Sequence, residues 1–304
     1  MPPGESDPTV LFDRRAWRRH RERAARQGVV DFLHVETAGR LLDRLDHVRR
    51  PFRTILDLGV HCGALSRGLV SRPAVERVIA VDPAVAFLSR DHLPAVCADP
   101  ELLPFSDNCF DLAISTLALH WVADLPGTLI QLRRTLKPDG LLLAAMLGGA
   151  TLAELRTALF EAELAEEGGV SARVSPTAEV ADAAALLQRA GFAMPVADLD
   201  TIIVTYPDML ALMRDLRGMG ETNALSLRRH SVLRRATLAR AAAIYRERYG
   251  LGDGRIPATF EILFLTGWVP DAAQPKPLRP GSARHRLADA LSAVEFPAGD
   301  RVAP

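Results

Sequence analysis

Five short apolar runs recur along the first half of the chain: TILDLG (54–59), RVIAVD (77–82), PAVCAD (94–99), FDLAIS (110–115) and GLLLAAM (140–146). Between several of them lie longer segments with apolar residues at helical spacing, such as Leu125 to Leu136. Near-continuous apolar runs are the mark of strands buried on both faces, and parallel strands need crossovers of a dozen or more residues, which these spacings supply. The pattern predicts an α/β fold, a doubly wound, mostly parallel sheet. After Met146 the period changes: TLAELRTALFEAELAEEGG and TAEVADAAALLQRAGF carry leucine and alanine at i, i+3 and i+4 and each ends at glycine, predicting two helices. DTIIVTY reads as a strand, Pro207 to Tyr249 as helix rich in Met and Arg, and PATFEILFLTGWV as an alternating strand. Two late strands flanking a helical insertion would complete the sheet and hang a cap beside its binding edge.

The expected organisation is a basic helical segment (1–50), a core (51–206), a helical cap (207–250), a final strand region (251–270) and a mobile Pro-rich tail (271–304), with no internal repeat. Composition narrows the classes. With 37 basic and 37 acidic residues the 304-residue chain is formally neutral, which argues against a nucleic-acid partner. Three cysteines, Cys62, Cys97 and Cys109, lack a CxxC spacing, so neither a disulfide framework nor a zinc site is indicated and a reducing, cytoplasmic setting fits. No apolar run approaches the roughly 20 residues that span a bilayer, and MPPGESDPTV does not read as a secretory leader. DRRAWRRHRERAAR (13–26) is read as an exposed helix with Trp17 and Phe12 turned inward. A partner surface, a phosphate-binding arm and a presequence are the alternatives, the last opposed by Asp13 and Glu22.

Ligands of open α/β sheets bind beyond the carboxyl ends of the strands. The first predicted strand ends at Asp57 and runs into Gly59, His61 and Gly63; Gly59 allows a tight turn, and Gly63 lets the next helix start close to a ligand. The second ends in Asp82, followed by Pro83, about 20 residues after the turn, where a carboxylate can accept both hydroxyls of a ribose. Turn and acid together point to nucleoside binding. The third ends in Asp99, able to accept from an adenine amino group with Leu102 and Phe105 nearby, or to cap a helix begun by PELLPF. The fourth runs into TLALHWV, placing His120 and Trp121 at the mouth of the cleft, where a histidine could orient a substrate or act as a base. HVE at His34 to Glu36 is a weak metal-ligand pattern ahead of the sheet.

These features in this order resemble the class I S-adenosylmethionine-dependent methyltransferases over about residues 50 to 150, whereas a dinucleotide dehydrogenase would show GxGxxG in the first loop. The resemblance implies a seven-stranded sheet and S-adenosylmethionine as cofactor. It places Asp57, Gly59 and Gly63 around the methionine portion, Asp82 with Pro83 on the ribose, and Asp99 with Leu102 near adenine; His61 and Ser115 complete the set. A narrower resemblance covers nearly the entire chain. LFDRRAWRRHRERAAR, LPFSDNCFDLAISTLALHWVADLPG, GGATLAELR, EEGGVSARVSP, LMRDLRGMGETNAL and GRIPATFEILFLTGW are similar to the NADH:ubiquinone oxidoreductase (complex I) assembly factor 5 family and its bacterial relatives.

That family implies a methyltransferase-like protein acting on a side chain of a complex I peripheral-arm subunit, with arginine hydroxylation as its activity; a non-catalytic assembly factor with a degenerate pocket is the rival. His61 stands where the family's turn has its middle glycine, so its imidazole must point away from a cofactor or crowd it. His120 and Trp121 are the catalytic candidates, and Arg214, Asp215, Arg217 and Glu221 are either the charges with which the cap would select a polypeptide or a solvated helix face with internal i, i+3 or i+4 pairs.

Overall fold

The computed structural model describes residues 11–90, 92–175, 177–274, 282 and 286–294. Contacts divide the chain into two units, 1–270 and 271–304. The first is built on one seven-stranded sheet of order β3-β2-β1-β4-β5-β7-β6. Its strands are β1 (Thr54–Leu58), β2 (Arg77–Val81), β3 (Ala95–Val96), β4 (Phe110–Thr116), β5 (Leu136–Leu147), β6 (Ala193–Tyr206) and β7 (Ile256–Trp268). The first five pair in parallel, and β7 lies antiparallel between β5 and β6.

Successive residues of a strand face opposite sides, so each apolar run feeds two cores. Ile55 joins Leu33, Leu41, Leu143 and Phe260 on one face, under α2 (Phe32–Asp46), α3 (Ala64–Val70) and α6 (Ala153–Glu167). Its neighbour Leu56 joins Leu129, Leu142 and Leu187 on the other, under α5 (Leu125–Thr135) and α7 (Val180–Arg189). α8 (Met209–Met219) and α9 (Arg235–Tyr249) extend the first core through Leu212 and Tyr245. The second unit contributes a short helix, Leu287–Leu291, and most of the expected mobile tail lies outside the described residues.

Three expectations need correction. PAVCAD forms a strand of only two residues, so Asp99 lies three residues past the end of β3. PELLPF makes turns rather than a helix, and Asp99 Oδ1 caps the turn by accepting from the Glu101 N–H at 3.0 Å. The stretch from Pro207 to Tyr249 is not one helical run: irregular chain at 220–234 separates α8 from α9.

Position matters most for α1 (Arg14–Gln27), which buries Ala16, Trp17, Arg21, Ala24 and Ala25. Asp13 caps it by accepting from the Ala16 N–H at 2.9 Å. Phe12, Ala16 and Trp17 pack with Trp121, Ala224 and Leu225, while Ala24 and Ala25 pack with Ala84 and Phe87 of α4 (Val85–Leu88) and the turn before it. This helix therefore crosses the carboxyl ends of β2 and β4.

Candidate functional site

The turn after β1 closes on itself. Asp57 is buried and accepts a hydrogen bond from Ser66 Oγ, at the start of α3. Gly59 and Gly63 have φ of 84° and 74°, values that a side chain rarely tolerates. A Cβ on Gly59 would stand 2.4 Å from the Cβ of Ala118, so the close approach its absence permits is used by the loop after β4. His61 adopts φ 49° despite its side chain and is 1% exposed. Its ring stacks on His34 of α2, centroids 3.5 Å apart and 4° from coplanar, lies 4.5 Å from the Phe87 ring, and donates through Nε2 to the Met219 carbonyl at 2.9 Å. Burial, reinforced by the Arg21 charge, pushes its pKa down to about 3, and burial drives His34 well below the usual range. Two neutral imidazoles can stack at this distance; two cations could not.

Asp82, at the end of β2, is fully buried, and its four lone-pair positions meet four donors. Oδ1 accepts from Arg21 Nε at 3.2 Å and the Ala84 N–H at 2.9 Å; Oδ2 accepts from Arg21 Nη2 at 2.5 Å and the His61 N–H at 3.4 Å. The Arg21 guanidinium also lies 5.1 Å from the Phe87 ring centre and 5.6 Å from that of Trp17. Asp99 is held in the same way: Arg14 donates through Nε at 2.7 Å and through Nη2, and sends Nη1 to the Trp121 carbonyl at 2.5 Å. The exposed basic helix is thus corrected. Trp17 and Phe12 do turn inward, but Arg14 and Arg21 turn inward with them.

Pro83 is buried and its carbonyl accepts from Cys97 Sγ at 3.5 Å. Ser115, opposite Leu58 in the β1/β4 register, is buried with an unpartnered Oγ. Leu102, expected against adenine, is 76% exposed; Leu103 faces inward instead, and Phe105 packs edge-on against Phe110. His34 and Glu36 point to different surroundings, the first onto His61 and the second to Arg40 at 2.9 Å, as residues two apart on a helix must. Among the described residues no three His, Cys, Asp or Glu side chains are grouped to hold a metal ion.

Beyond β4 the chain makes a 3₁₀ turn, Leu119–Trp121. His120 Nδ1 accepts from the Leu147 N–H at 3.5 Å, which leaves Nε2 as the donor to Glu221 Oε2 at 3.0 Å. Trp121 Nε1 donates to the same oxygen at 2.9 Å. Both imidazole nitrogens are therefore engaged, and the carboxylate between the two side chains is the stronger acceptor, so of the two roles expected for His120 the arrangement favours orienting over acting as a base. All three residues line a cavity of about 460 Å³ with Leu155, Leu159, Met213 and Phe260. Glu221 was expected as a surface charge of the cap, yet its side chain is 7% exposed and its Oε1 is buried without a partner. Arg214 and Arg217 stay at the surface. Asp215 lies against Tyr206, whose hydroxyl burial pushes above its ordinary range.

A ribose would have to bond an Asp82 carboxylate whose four positions are already taken, two of them by Arg21, and an adenine would meet an Asp99 that already accepts from Arg14 and the Glu101 N–H, so the strand-end residues, as arranged here, do not fit a nucleoside. Spacing held the clue to Arg21: Arg14, Trp17 and Arg21 fall at i, i+3 and i+7, one face of a helix. Glu221 carried no comparable signal, because it follows α8 in irregular chain.

Residues 56–144 match the methyltransferase domain family. The chain is 44% identical over 287 residues to the protein named arginine-hydroxylase NDUFAF5, mitochondrial, of Danio rerio, covering 92% of this chain and 89% of that one. It is 39% identical over 277 residues to a malonyl-[acyl-carrier protein] O-methyltransferase of Halorhodospira halophila, covering 88% and 91%. In fold it is similar to the crystal structure of the YcgJ protein of Bacillus subtilis, with TM-score 0.53 and 16% identity over 78% of this chain and 100% of that one.

Proposed function

The chain belongs to the family of the mitochondrial arginine-hydroxylase NDUFAF5, and from that premise we propose that it modifies a protein side chain during assembly of respiratory complex I, as an S-adenosylmethionine-dependent enzyme on a methyltransferase fold. The observation that carries this reading is the cavity of about 460 Å³ whose wall includes His120, Trp121 and Glu221, beside the ends of β4 and β5, together with Arg173, Arg217, Arg228 and Arg229. A long side chain fits such a pocket, and the Glu221 carboxylate, oriented by two donors, is placed to accept a proton or a hydrogen bond from it. His120 and Trp121 act by holding Glu221. Asp57, Asp82 and Asp99 support the nucleoside assignment by their positions at three strand ends, and Arg14 and Arg21 oppose it in the arrangement described.

Arginine hydroxylation is the second reading. A carboxylate at the cavity end suits a guanidinium, which presents five N–H donors in a planar fork, and the NDUFAF5 relatives carry that activity in their name. The substrate in both readings is a peripheral-arm subunit of complex I. Cytoplasmic placement is supported by Cys62, Cys97 and Cys109 being free, and among the described residues no helix is long and apolar enough to cross a membrane. Mass spectrometry of peripheral-arm subunits from a deletion strain and from the same strain carrying the gene tests both. A methyl increment restored by the gene supports the first reading, and an added oxygen atom on arginine supports the second. Identical subunit masses in the two strains would leave only an assembly role.

A further inference from the structure

We infer that α1 and an adenosyl cofactor are alternative occupants of the same two carboxylates, so that the chain admits the cofactor only when α1 lifts from the strand ends. This deepens the nucleoside reading above and rests on it. Asp82 and Asp99 stand 17 residues apart in sequence at neighbouring strand ends, and each receives a two-pronged guanidinium from the same helix, seven residues apart on one face. A ribose needs the Asp82 oxygens that Arg21 holds, and an adenine amino group needs an Asp99 oxygen that Arg14 holds. Asp82, with all four lone-pair positions engaged, cannot serve a second set of donors, and Arg14 occupies both oxygens of Asp99.

The occupation by α1 is incomplete in its polar pairing. Arg21 Nη1, Trp17 Nε1 and Ser115 Oγ are buried at the closed site without hydrogen-bond partners. Buried polar atoms are paired in a settled arrangement; lifting α1 returns Arg21 Nη1 and Trp17 Nε1 to water, and Ser115 Oγ stays behind for an entering polar ligand to satisfy. The helix is nonetheless well attached at its start: Asp13 N–H donates to the Ala224 carbonyl at 2.8 Å, and Arg228 donates to Asp13 Oδ2 at 2.8 Å. Further along, His20 and Arg23 meet Thr222 and Arg90 donates to the Ala25 carbonyl, so a swing of the Arg14 to Gln27 segment about Asp13 also releases these contacts. Because Arg14 also holds the Trp121 carbonyl, lifting α1 frees the backbone of the residue that orients Glu221. Entry of the cofactor and adjustment of the acceptor end would then occur together.

Removing Arg21 leaves Asp82 buried and unpaired, so that variant alone could fail to fold. The Arg14–Asp99 pair is partly exposed, with side chains 24% and 28% accessible, and Arg14→Gln is the usable change. Titration calorimetry of the full chain with S-adenosylhomocysteine should show Arg14→Gln binding more tightly than the wild type, by on the order of ten-fold, since the apparent affinity of a site rises with the fraction of molecules in which it is open. Hydrogen exchange of the wild-type chain supplies a second readout: S-adenosylhomocysteine should accelerate exchange in residues 14–27. Binding to the wild type that is equal or tighter than to Arg14→Gln, or that protects residues 14–27, would overturn the inference while leaving the nucleoside site intact, because α1 would then cover the cofactor rather than compete with it. Absence of binding to the wild type and to Arg14→Gln, both folded, would remove the nucleoside reading and the inference together.

Discussion

His61 shows how one side chain can close a glycine-rich turn. It accepts a left-handed backbone, at a cost of order 1 kcal/mol, and in return its ring joins the β1 turn to α2 through His34 and to α8 through the Met219 carbonyl. The sequence raised the right question at this position, because the middle of a glycine-rich turn is where an added side chain has to be explained. It could not give the answer, since the stacking partner lies 27 residues upstream. The pairing has a pH signature. Both rings are held neutral in the folded chain, His61 with a pKa near 3, whereas an unfolded histidine titrates near 6.5. Below pH 6.5 the unfolded state therefore binds more protons than the folded one, and stability falls as pH falls, by about 1.4 kcal/mol per pH unit for each histidine once the unfolded side chain is charged. Denaturant unfolding measured between pH 7 and about pH 4 should show this slope, and His61→Gly should remove about half of it. A slope unchanged in the variant would mean that His61 takes no part. Glycine also relieves the positive φ, so the variant at pH 7 loses the stack but gains back the backbone term.

At the scale of elements, strands were the most legible because their periodicity is set by the sheet itself: β1, β2, β4 and β5 fall where continuous apolar runs predict them. β3 was overread, since Pro94 and Asp99 bracket a run with only Ala95 and Val96 able to pair with Ala80 and Val81. Helix α1 was legible in existence and in the burial of Phe12 and Trp17. Its function was misread, because a run of arginines looks like a solvated face unless the carboxylates that receive them are known, and Asp82 and Asp99 lie far along the chain. The same helix offers a direct test of its attachment. Asp13 carries two tasks, capping α1 at Ala16 and pairing with Arg228 from the segment after α8. Burial alone would raise its pKa, but these two donors bring it below its ordinary value. Asp13→Ala should cost about 1–2 kcal/mol, the usual range for a lost cap, and should speed hydrogen exchange throughout 14–27 as the hinge loosens. Asp13→Asn, which can still cap, should recover most of the stability. If Asp13→Ala melts with the wild type, α1 is held by its apolar face alone.

For the whole molecule, the strand order β3-β2-β1-β4-β5-β7-β6 explains why the placement of the strand-end carboxylates of the first half was readable and the cavity was not. Parallel strands bring Asp57, Asp82 and Asp99 to one edge by topology, and this follows from the run pattern. The cavity is assembled from distant pieces: Leu33 of α2, Leu155 and Leu159 of α6, Met213 and Leu216 of α8, and Phe260 of β7. No local pattern marks such a meeting, and the same apolar residues would look alike in a filled core. Their arrangement does allow the proposed acceptor site to be tested without touching any carboxylate. Met213 is half-buried on α8 and borders the cavity. Met213→Trp would place an indole into a volume of about 460 Å³, ample for it. Met213 stands beside the apolar part of the lining, Leu33, Leu155, Leu159 and Phe260, and filling open space there regains packing contacts, whereas forcing bulk into a filled core costs typically about 1–3 kcal/mol. The expected outcome is a melting temperature equal to or above that of the wild type, with the restored side-chain modification of the complex I subunit lost in the complemented deletion strain. Retention of the modification in a stably folded Met213→Trp protein would show that the acceptor enters elsewhere, and a fall in melting temperature would show that this space is not open to side chains.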